Sequence, residues 1–250
     1  LSYSRRSVRG LQLAAVSIDQ DRLDGVQVGA VVAGALGPTH GAQLGLLAFN
    51  GDYLDGLQLS GLFSFTGGHL DGLQLSGLVG WARGPLRGVQ LSGLASTTVG
   101  DVTGLQLSGL FNASAGDRGV RGAQIGAVNF GRVDGLQLGA VNVTEEVRGL
   151  QIGLFNVARK VDGMQIGLIN ISDDLDGESL GLISLQRRGG VHLVAWGSNS
   201  LSGNLGVKFQ SRTAYSILSG AVHRDGKDTL VAAGFTFGLR FPFLIKPLSL

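Results

Sequence analysis

The stretch that decides the fold is GLQLSGLFSFTGGHLDGLQLSGLVGW, from Gly56 to Trp81. Its first seven letters return at Gly72 and Gly104, and degenerate copies run along most of the 250-residue chain. Such repeats indicate stacked units, none of which buries its apolar face alone. The glycines that open the units are Gly10, Gly25, Gly41, Gly56, Gly72, Gly88, Gly104, Gly122, Gly135, Gly149, Gly163 and Gly177.

Each unit has the pattern of β-strand rather than helix. Leu57 and Leu59, and then Phe63 and Phe65, alternate with other residues at the period of two that is typical of a strand. Glycine makes up 43 of the 250 residues, and glycine at that density opposes helix formation. The sequence therefore predicts an all-β protein.

The lengths of the units distinguish two all-β architectures, a parallel β-solenoid and a closed antiparallel transmembrane β-barrel. Early units read QLSGLFN, as from Gln106 to Asn112, whereas late units read QIGLFN, as from Gln151 to Asn156. A one-residue deletion inside a strand turns every later side chain to the other face, whereas at a corner it only tightens a turn. The solenoid is favoured and the barrel stays the alternative. The expected corners, where glycine tolerates positive φ, are Gly61, Gly77, Gly93, Gly109, Gly126, Gly139, Gly153 and Gly167.

The predicted architecture is a parallel β-solenoid of about twelve coils of 14–16 residues over residues 1–188, followed by an antiparallel β-meander cap over residues 189–250. In one coil, strands are expected at Val147 to Ile152 and at Leu154 to Ala158. Leu150, Ile152 and Leu154 are expected to point inward, because apolar side chains normally form the core.

Recurring amides predict structural ladders along the stack, in which each side chain donates to one neighbour and accepts from the other. The asparagines are expected at corners, and the sequon pattern of three of them is explained better by the repeat than by glycosylation. The ladder residues are Gln12, Gln27, Gln43, Gln58, Gln74, Gln90, Gln106, Gln124, Gln137, Gln151 and Gln165, with Asn112, Asn129, Asn142, Asn156 and Asn170.

The residue before each unit glycine is polar and predicts a solvated column of mixed charge. A Ca²⁺ site between like-charged neighbours, Asp55 and Asp71, is the sharper alternative, but the spacing of calcium-binding repeats is missing. The column comprises Arg9, Asp24, His40, Asp55, Asp71, Arg87, Thr103, Arg121, Asp134, Arg148, Asp162 and Asp176.

The chemistry-bearing residues predict no catalytic, cofactor or metal site. No cysteine is present, which excludes disulfides and thiolate chemistry. His40, His69, His192 and His223 have no partner at metal-ligand spacing in the sequence, although His69 stands two residues before Asp71. A net charge of +2 gives no signal for nucleic acid, and no apolar run is long enough for a transmembrane helix.

The C-terminal part departs from the repeat at Glu178-Ser179, which replaces the usual Leu-Gln pair. After a break at Gln186 to Gly190, alternation predicts an antiparallel meander that caps the solenoid or, alternatively, contacts an outer membrane. Its expected strands are Val191 to Trp196, Leu205 to Gln210, Ala214 to Val222 and Thr229 to Phe241, with a turn at Arg224 to Lys227 and a tail at Pro242 to Leu250.

The units resemble those of bacterial surface-repeat proteins built on V-x-G-x-Q-x-G-x-x-N, of the leptospiral, Bacteroidetes and myxobacterial type. VRGLQIGLFNVARKVDGMQIGLINISDDLDG, from Val147 to Gly177, carries the resemblance, which extends over about Val8 to Leu185. HLVAWGSNSLSGNLGVKFQSRTAYSIL, from His192 to Leu218, is similar to the segment that follows the repeats in myxobacterial members. The resemblance implies export and a surface or outer-membrane location, and it implies no activity.

We therefore expect a non-enzymatic, exported structural or adhesive protein of the bacterial outer membrane or cell surface. Its ranked side chains would serve self-assembly or the binding of a protein partner, with no nucleic acid and no cofactor. An outer-membrane barrel pore is the alternative from another class. Leu1 is not an initiator methionine, which fits a mature chain after removal of a signal peptide or the ordered part of a longer one.

Overall fold

The computed structural model describes residues 1–188, 190–197, 203–225 and 228–240. The secondary structure of these residues consists of β-strands, without helix. They therefore contain no helix long and apolar enough to cross a membrane. The strands are β1 (Ser2–Ser4), β2 (Val8–Asp19), β3 (Leu23–Ala35), β4 (Thr39–Asn50), β5 (Leu54–Thr66), β6 (Leu70–Ser76), β7 (Val79–Ala82), β8 (Leu86–Ser92), β9 (Ala95–Thr98), β10 (Val102–Ser108), β11 (Phe111–Ser114), β12 (Val120–Ile125), β13 (Val128–Phe130), β14 (Val133–Leu138), β15 (Val141–Leu175), β16 (Glu178–Gln186), β17 (Val191–Trp196), β18 (Gly203–Gln210), β19 (Ala214–Asp225) and β20 (Asp228–Leu239).

The chain is a parallel β-solenoid of about 12 turns followed by a separate antiparallel sheet of four strands. The predicted fold class is therefore confirmed. The alternative of a closed antiparallel barrel is wrong, because strands of successive units pair in parallel and each unit returns to the same register.

Backbone packing divides the chain into two compact units, Leu1–Thr144 and Glu145–Leu250. The second unit holds the last coils together with the antiparallel sheet. The predicted division into 1–188 and 189–250 instead follows the change from parallel to antiparallel pairing, which falls between β16 and β17.

A single coil is represented by β6 and β7. The first strand ends at Ser76, the chain bends at Gly77 and Leu78, and the second strand begins at Val79. Each strand pairs with the equivalent strand of the coils before and after it, so that Gln74 stands in register with Gln58 and Gln90. Stacked in this way, every position of the repeat becomes a column that runs along the coils.

The length difference between units is absorbed at the corner, as the sequence predicts. On β4 one residue separates Gly45 from Leu47, whereas two residues separate their partners Ser60 and Phe63 on β5. The strand segments on both sides stay in register despite this difference. Equivalent corners interrupt the strands in the middle coils, whereas the backbone stays extended through the corners within β15, which contains both strands predicted for that coil.

The predicted reason for glycine at the corners is wrong, since no corner glycine has a positive φ. A Cβ at Gly93 would lie 2.1 Å from the carbonyl oxygen of Gly77 in the preceding coil, so the corner needs glycine for close stacking. Positive φ occurs instead at ten of the twelve glycines that open a unit, all except Gly163 and Gly177. Gly88, for example, has a φ of 127° and would place a Cβ 2.0 Å from the carbonyl oxygen of Gly72.

The predicted inward face of the strands is also wrong. Gln151 is fully buried, whereas Leu150 and Ile152 lie on the outer face and Leu154 at the corner is 49% exposed. Alternation with a period of two defines two faces but does not say which one is inside. The amides face inward because stacking satisfies their hydrogen bonds there, which removes the usual cost of burying them.

The interior also contains one apolar column, two residues before the unit glycine. Its members in the middle coils are fully or almost fully buried and pack on one another: Leu54, Leu70, Leu86, Val102 and Val120. The other interior columns are mostly polar or small, as with Gln74, Ser76, Gly80 and Ala82 of one coil. The interior is therefore a mixed one, apolar along one column and filled by amides and hydroxyls elsewhere.

The C-terminal sheet has the order β17-β18-β19-β20 and is antiparallel throughout, as predicted. Its strands match the predicted ones to within a few residues. The predicted strand end at Phe241, Gly226 and Lys227 of the predicted turn, Gly189 of the break and the tail from Pro242 lie outside the described residues.

Candidate functional site

The glutamine column is a continuous interior amide ladder within each of the two compact units. Gln90 Nε2 donates to Gln74 Oε1 at 2.7 Å, and Gln90 Oε1 accepts from Gln106 Nε2 at 2.9 Å. The same type of bond, 2.7–3.2 Å long, joins the following residues in sequence order: Gln12, Gln27, Gln43, Gln58, Gln74, Gln90, Gln106, Gln124 and Gln137, and likewise Gln151 with Gln165.

The asparagines form a second, shorter ladder beside the corner. Asn112 Nδ2 donates to Asn129 Oδ1, and Asn129 Nδ2 donates to Asn142 Oδ1, both at 2.8 Å. In the second unit, Asn156 Nδ2 donates to Asn170 Oδ1 at 2.8 Å and to the carbonyl of Ile166 at 2.9 Å. All five side chains are buried, which leaves their sequons no access to a glycan. Four of them donate to a backbone carbonyl of the next coil: Asn112, Asn129, Asn156 and Asn170.

The ladders end where the repeat changes. In the last coil, Ser179 stands in register with Gln165, and the Oε1 of Gln165 is buried without a hydrogen-bond partner among the described residues. At the other end, Gln12 and Gln27 donate to the carboxylate of Asp19 at 3.1 and 2.8 Å. Burial raises the pKa of Asp19, against the opposing effect of the hydrogen bond from Gln12.

The polar residues before the unit glycines form the expected charged column on the outer face. Arg9 and Arg22 flank Asp24, and Arg87 Nη1 lies 3.7 Å from Asp71 Oδ2. His40 stands between two carboxylates, with Nδ1 3.6 Å from Asp24 Oδ1 and Nε2 3.4 Å from Asp55 Oδ2. Most members of the column are exposed, whereas Asp24, His40, Asp55 and Asp71 are half-exposed.

One part of this column brings possible metal ligands together, at the pair of carboxylates that the sequence offered as the alternative position of a Ca²⁺ ion. Donor atoms of Asp55, His69 and Asp71 lie within 4.8 Å of one another, the single such group of three or more among the described residues. Asp55 and Asp71 are in register on β5 and β6, and His69 enters from the loop before β6. His69 has no carboxylate from another coil at metal-ligand spacing along the sequence, because Asp55 belongs to the preceding coil.

The outer faces are otherwise strongly apolar. On the first strand of the coil, Leu59, Leu75, Leu91 and Leu107 stand in register and line, with Gly77 and Gly93, an axial groove of about 380 Å³. We call these four residues the leucine column. The corner column beside it consists of Leu62, Leu78, Leu94 and Leu110, which are 39–56% exposed. The second strand adds aromatic side chains such as Phe65 and Trp81, whose rings meet edge to face at 5.5 Å.

Glu178, which marks the break in the repeat, anchors the C-terminal sheet to the last coil. Its Oε2 accepts from Ser211 Oγ at 2.7 Å and from the backbone N–H of Thr213 at 3.2 Å. Burial acts to raise the pKa of Glu178, but these hydrogen bonds outweigh it and leave the pKa below its ordinary value. Ser216 adds a bond from its Oγ to the carbonyl of Leu182 on β16.

Comparison with protein-family models, with curated proteins and with solved structures found no match to this chain. The likeness of the units to bacterial surface-repeat proteins therefore stays a prediction from the motif.

Proposed function

We propose that the chain is a non-enzymatic, exported structural repeat protein of the bacterial outer membrane or cell surface, which assembles side by side with further copies of itself. The observation that carries the proposal is the distribution of side chains, with amides inside and leucine columns outside. Exposed apolar surface that is continuous over several coils is typical of a surface that another molecule covers.

The groove and the corner column favour a second copy as that molecule. Gly77 and Gly93 line the groove and directly precede Leu78 and Leu94, so the corner column runs next to the groove. Both repeat once per coil, at the spacing of about 4.8 Å between neighbouring strands. A second copy has the same spacing. The corner column of each copy would therefore lie in the groove of the other, in an isologous interface.

An adhesive role toward another protein is compatible with the same surface, but an unrelated partner would have to match this spacing by coincidence. The motif resemblance supports export and a surface location.

Sedimentation velocity of the purified chain without detergent, over a wide range of protein concentration, tests the self-assembly. We expect dimers or larger species for the natural sequence and a monomer for the double variant L78S/L94S. L193S is the matched control, because Leu193 is 79% exposed but lies on β17. A natural chain that stays monomeric at all concentrations, or an L78S/L94S variant that associates as the natural chain does, would contradict the proposal.

The location is tested separately in cells that express the natural gene. We expect the protein in the outer-membrane or surface fraction and expect external protease to degrade it in intact cells. Recovery in the cytoplasmic fraction would overturn the surface assignment without affecting the assembly result.

A further inference from the structure

We propose that Asp55, His69 and Asp71 form a binding site for a divalent transition-metal ion such as Zn²⁺. Two carboxylates and one imidazole are ligands of the borderline type that Zn²⁺ accepts, with open positions left for water. The site is independent of the proposed assembly function, since it lies on the charged column and not on the leucine or corner columns.

The two carboxylates meet because of the repeat. In-register residues of neighbouring parallel strands are held about 4.8 Å apart, so the carboxylates of Asp55 and Asp71 lie side by side with like charge. Like charges placed side by side on a sheet are destabilising unless a cation lies between them. Elsewhere in the first compact unit, neighbours along the charged column are oppositely charged or include a neutral residue.

Asp55 and Asp71 use one carboxylate oxygen, Oδ2, for their contacts with the next residues of the charged column. Asp55 uses Oδ2 toward His40 Nε2 at 3.4 Å, and Asp71 uses Oδ2 toward Arg87 Nη1 at 3.7 Å. The ring of His69 is stacked on Tyr53, with centroids 4.6 Å apart and planes 8° from parallel. Neighbours that orient metal ligands in this way are typical of metal sites.

The Oδ1 atom of Asp71 provides a second, independent observation in favour of a bound cation. Asp71 Oδ1 is shielded from solvent and accepts no hydrogen bond from any of the described residues. A buried carboxylate oxygen without a donor is costly, and a cation removes that cost.

The distances fit a small ion. His69 Nε2 lies 3.6 Å from Asp55 Oδ1. Tetrahedral coordination with bonds of about 2.1 Å places two ligand atoms roughly 3.4 Å apart. The ligand atoms of all three residues lie within 4.8 Å of one another.

Calorimetric titration of the EDTA-treated full chain with ZnCl₂ tests the site. We expect one Zn²⁺ per chain, with affinity lowered at least about tenfold in H69Q and in D71N, because loss of a ligand costs at least as much as loss of an outer-shell partner. Two matched controls should bind as the natural chain does. D162N alters the same position of another unit, and H192Q alters an exposed histidine on β17.

Thermal unfolding provides a second measurement, because an ion that binds only the folded chain raises the midpoint. We expect Zn²⁺ to raise it for the natural chain and for D162N, and not for H69Q, with circular dichroism used to confirm that every variant is folded. Absence of stoichiometric binding to the natural chain would overturn the proposal. Equal affinity of the natural chain, H69Q and D71N would overturn it as well.

Discussion

A glutamine inside this protein is bonded much as a backbone amide is bonded in a sheet. Gln106 donates to Gln90 and accepts from Gln124, and its Nε2 also lies 3.2 Å from the carbonyl of Ala113. Both ends of the amide are thereby satisfied without water. Burial of so many polar side chains costs little under these conditions, because each hydrogen bond lost to solvent is replaced within the column.

The column of opening glycines is the residue-scale feature most sensitive to substitution. G88A should lower the free energy of unfolding by about 3 kcal/mol or more, because alanine is strained at a φ of 127° and its Cβ would overlap Gly72. G34A is the matched control, since the nearest atoms to its Cβ would be 3.8 Å away. Urea unfolding of both variants measures the difference, and equal losses would refute the role given to Gly88.

At the scale of elements, the corner and the last coil show what the sequence could predict. Ser60-Gly61 is recognisable as a corner because a residue is missing there in other units, and a missing residue is tolerated only outside a strand. The break at Glu178 is equally visible in the sequence. The role of Glu178 as a hydrogen-bond acceptor is not visible there, because the hydroxyl of Ser211 and the N–H of Thr213 come from a loop more than thirty residues away.

The hydrogen bonds to Glu178 predict a dependence of stability on pH. Because the pKa of Glu178 is lowered in the folded chain, the unfolded chain binds the proton more tightly. The stabilisation is therefore present above the ordinary value of 4.5 and is lost as the pH falls through the folded-state pKa.

E178Q removes this dependence and should be less stable than the natural chain at pH 7, by on the order of 1 kcal/mol for charge-assisted bonds. Urea midpoints measured from pH 3 to pH 7 should converge for the two proteins at the acid end. S211A should show a smaller form of the same change. A constant difference between E178Q and the natural chain at every pH would show that the charge of Glu178 is not involved.

At the scale of the whole molecule, the repeat specifies the stack but not which side of each strand faces inward. Gln74 and Leu75 alternate equally well with either one inside, and the usual preference for an apolar core selects the wrong one. The ladder outweighs that preference only when the coils are stacked, which a single unit does not reveal. The pairing of Asp55 with Asp71 follows from the repeat, whereas the approach of His69 to Asp55 is not visible in the sequence because these two residues belong to different coils.

The most direct measurement is a pair of substitutions at adjacent positions, followed by urea unfolding. Q106L places an apolar side chain in the interior and leaves Gln90 Oε1 and Gln124 Nε2 without this partner, while L105Q places an amide on the outer face. We expect Q106L to lose at least about 2 kcal/mol of unfolding free energy and L105Q to lose less than about 1 kcal/mol. The opposite order, with L105Q strongly destabilised and Q106L neutral, would show that leucine and not glutamine fills the interior.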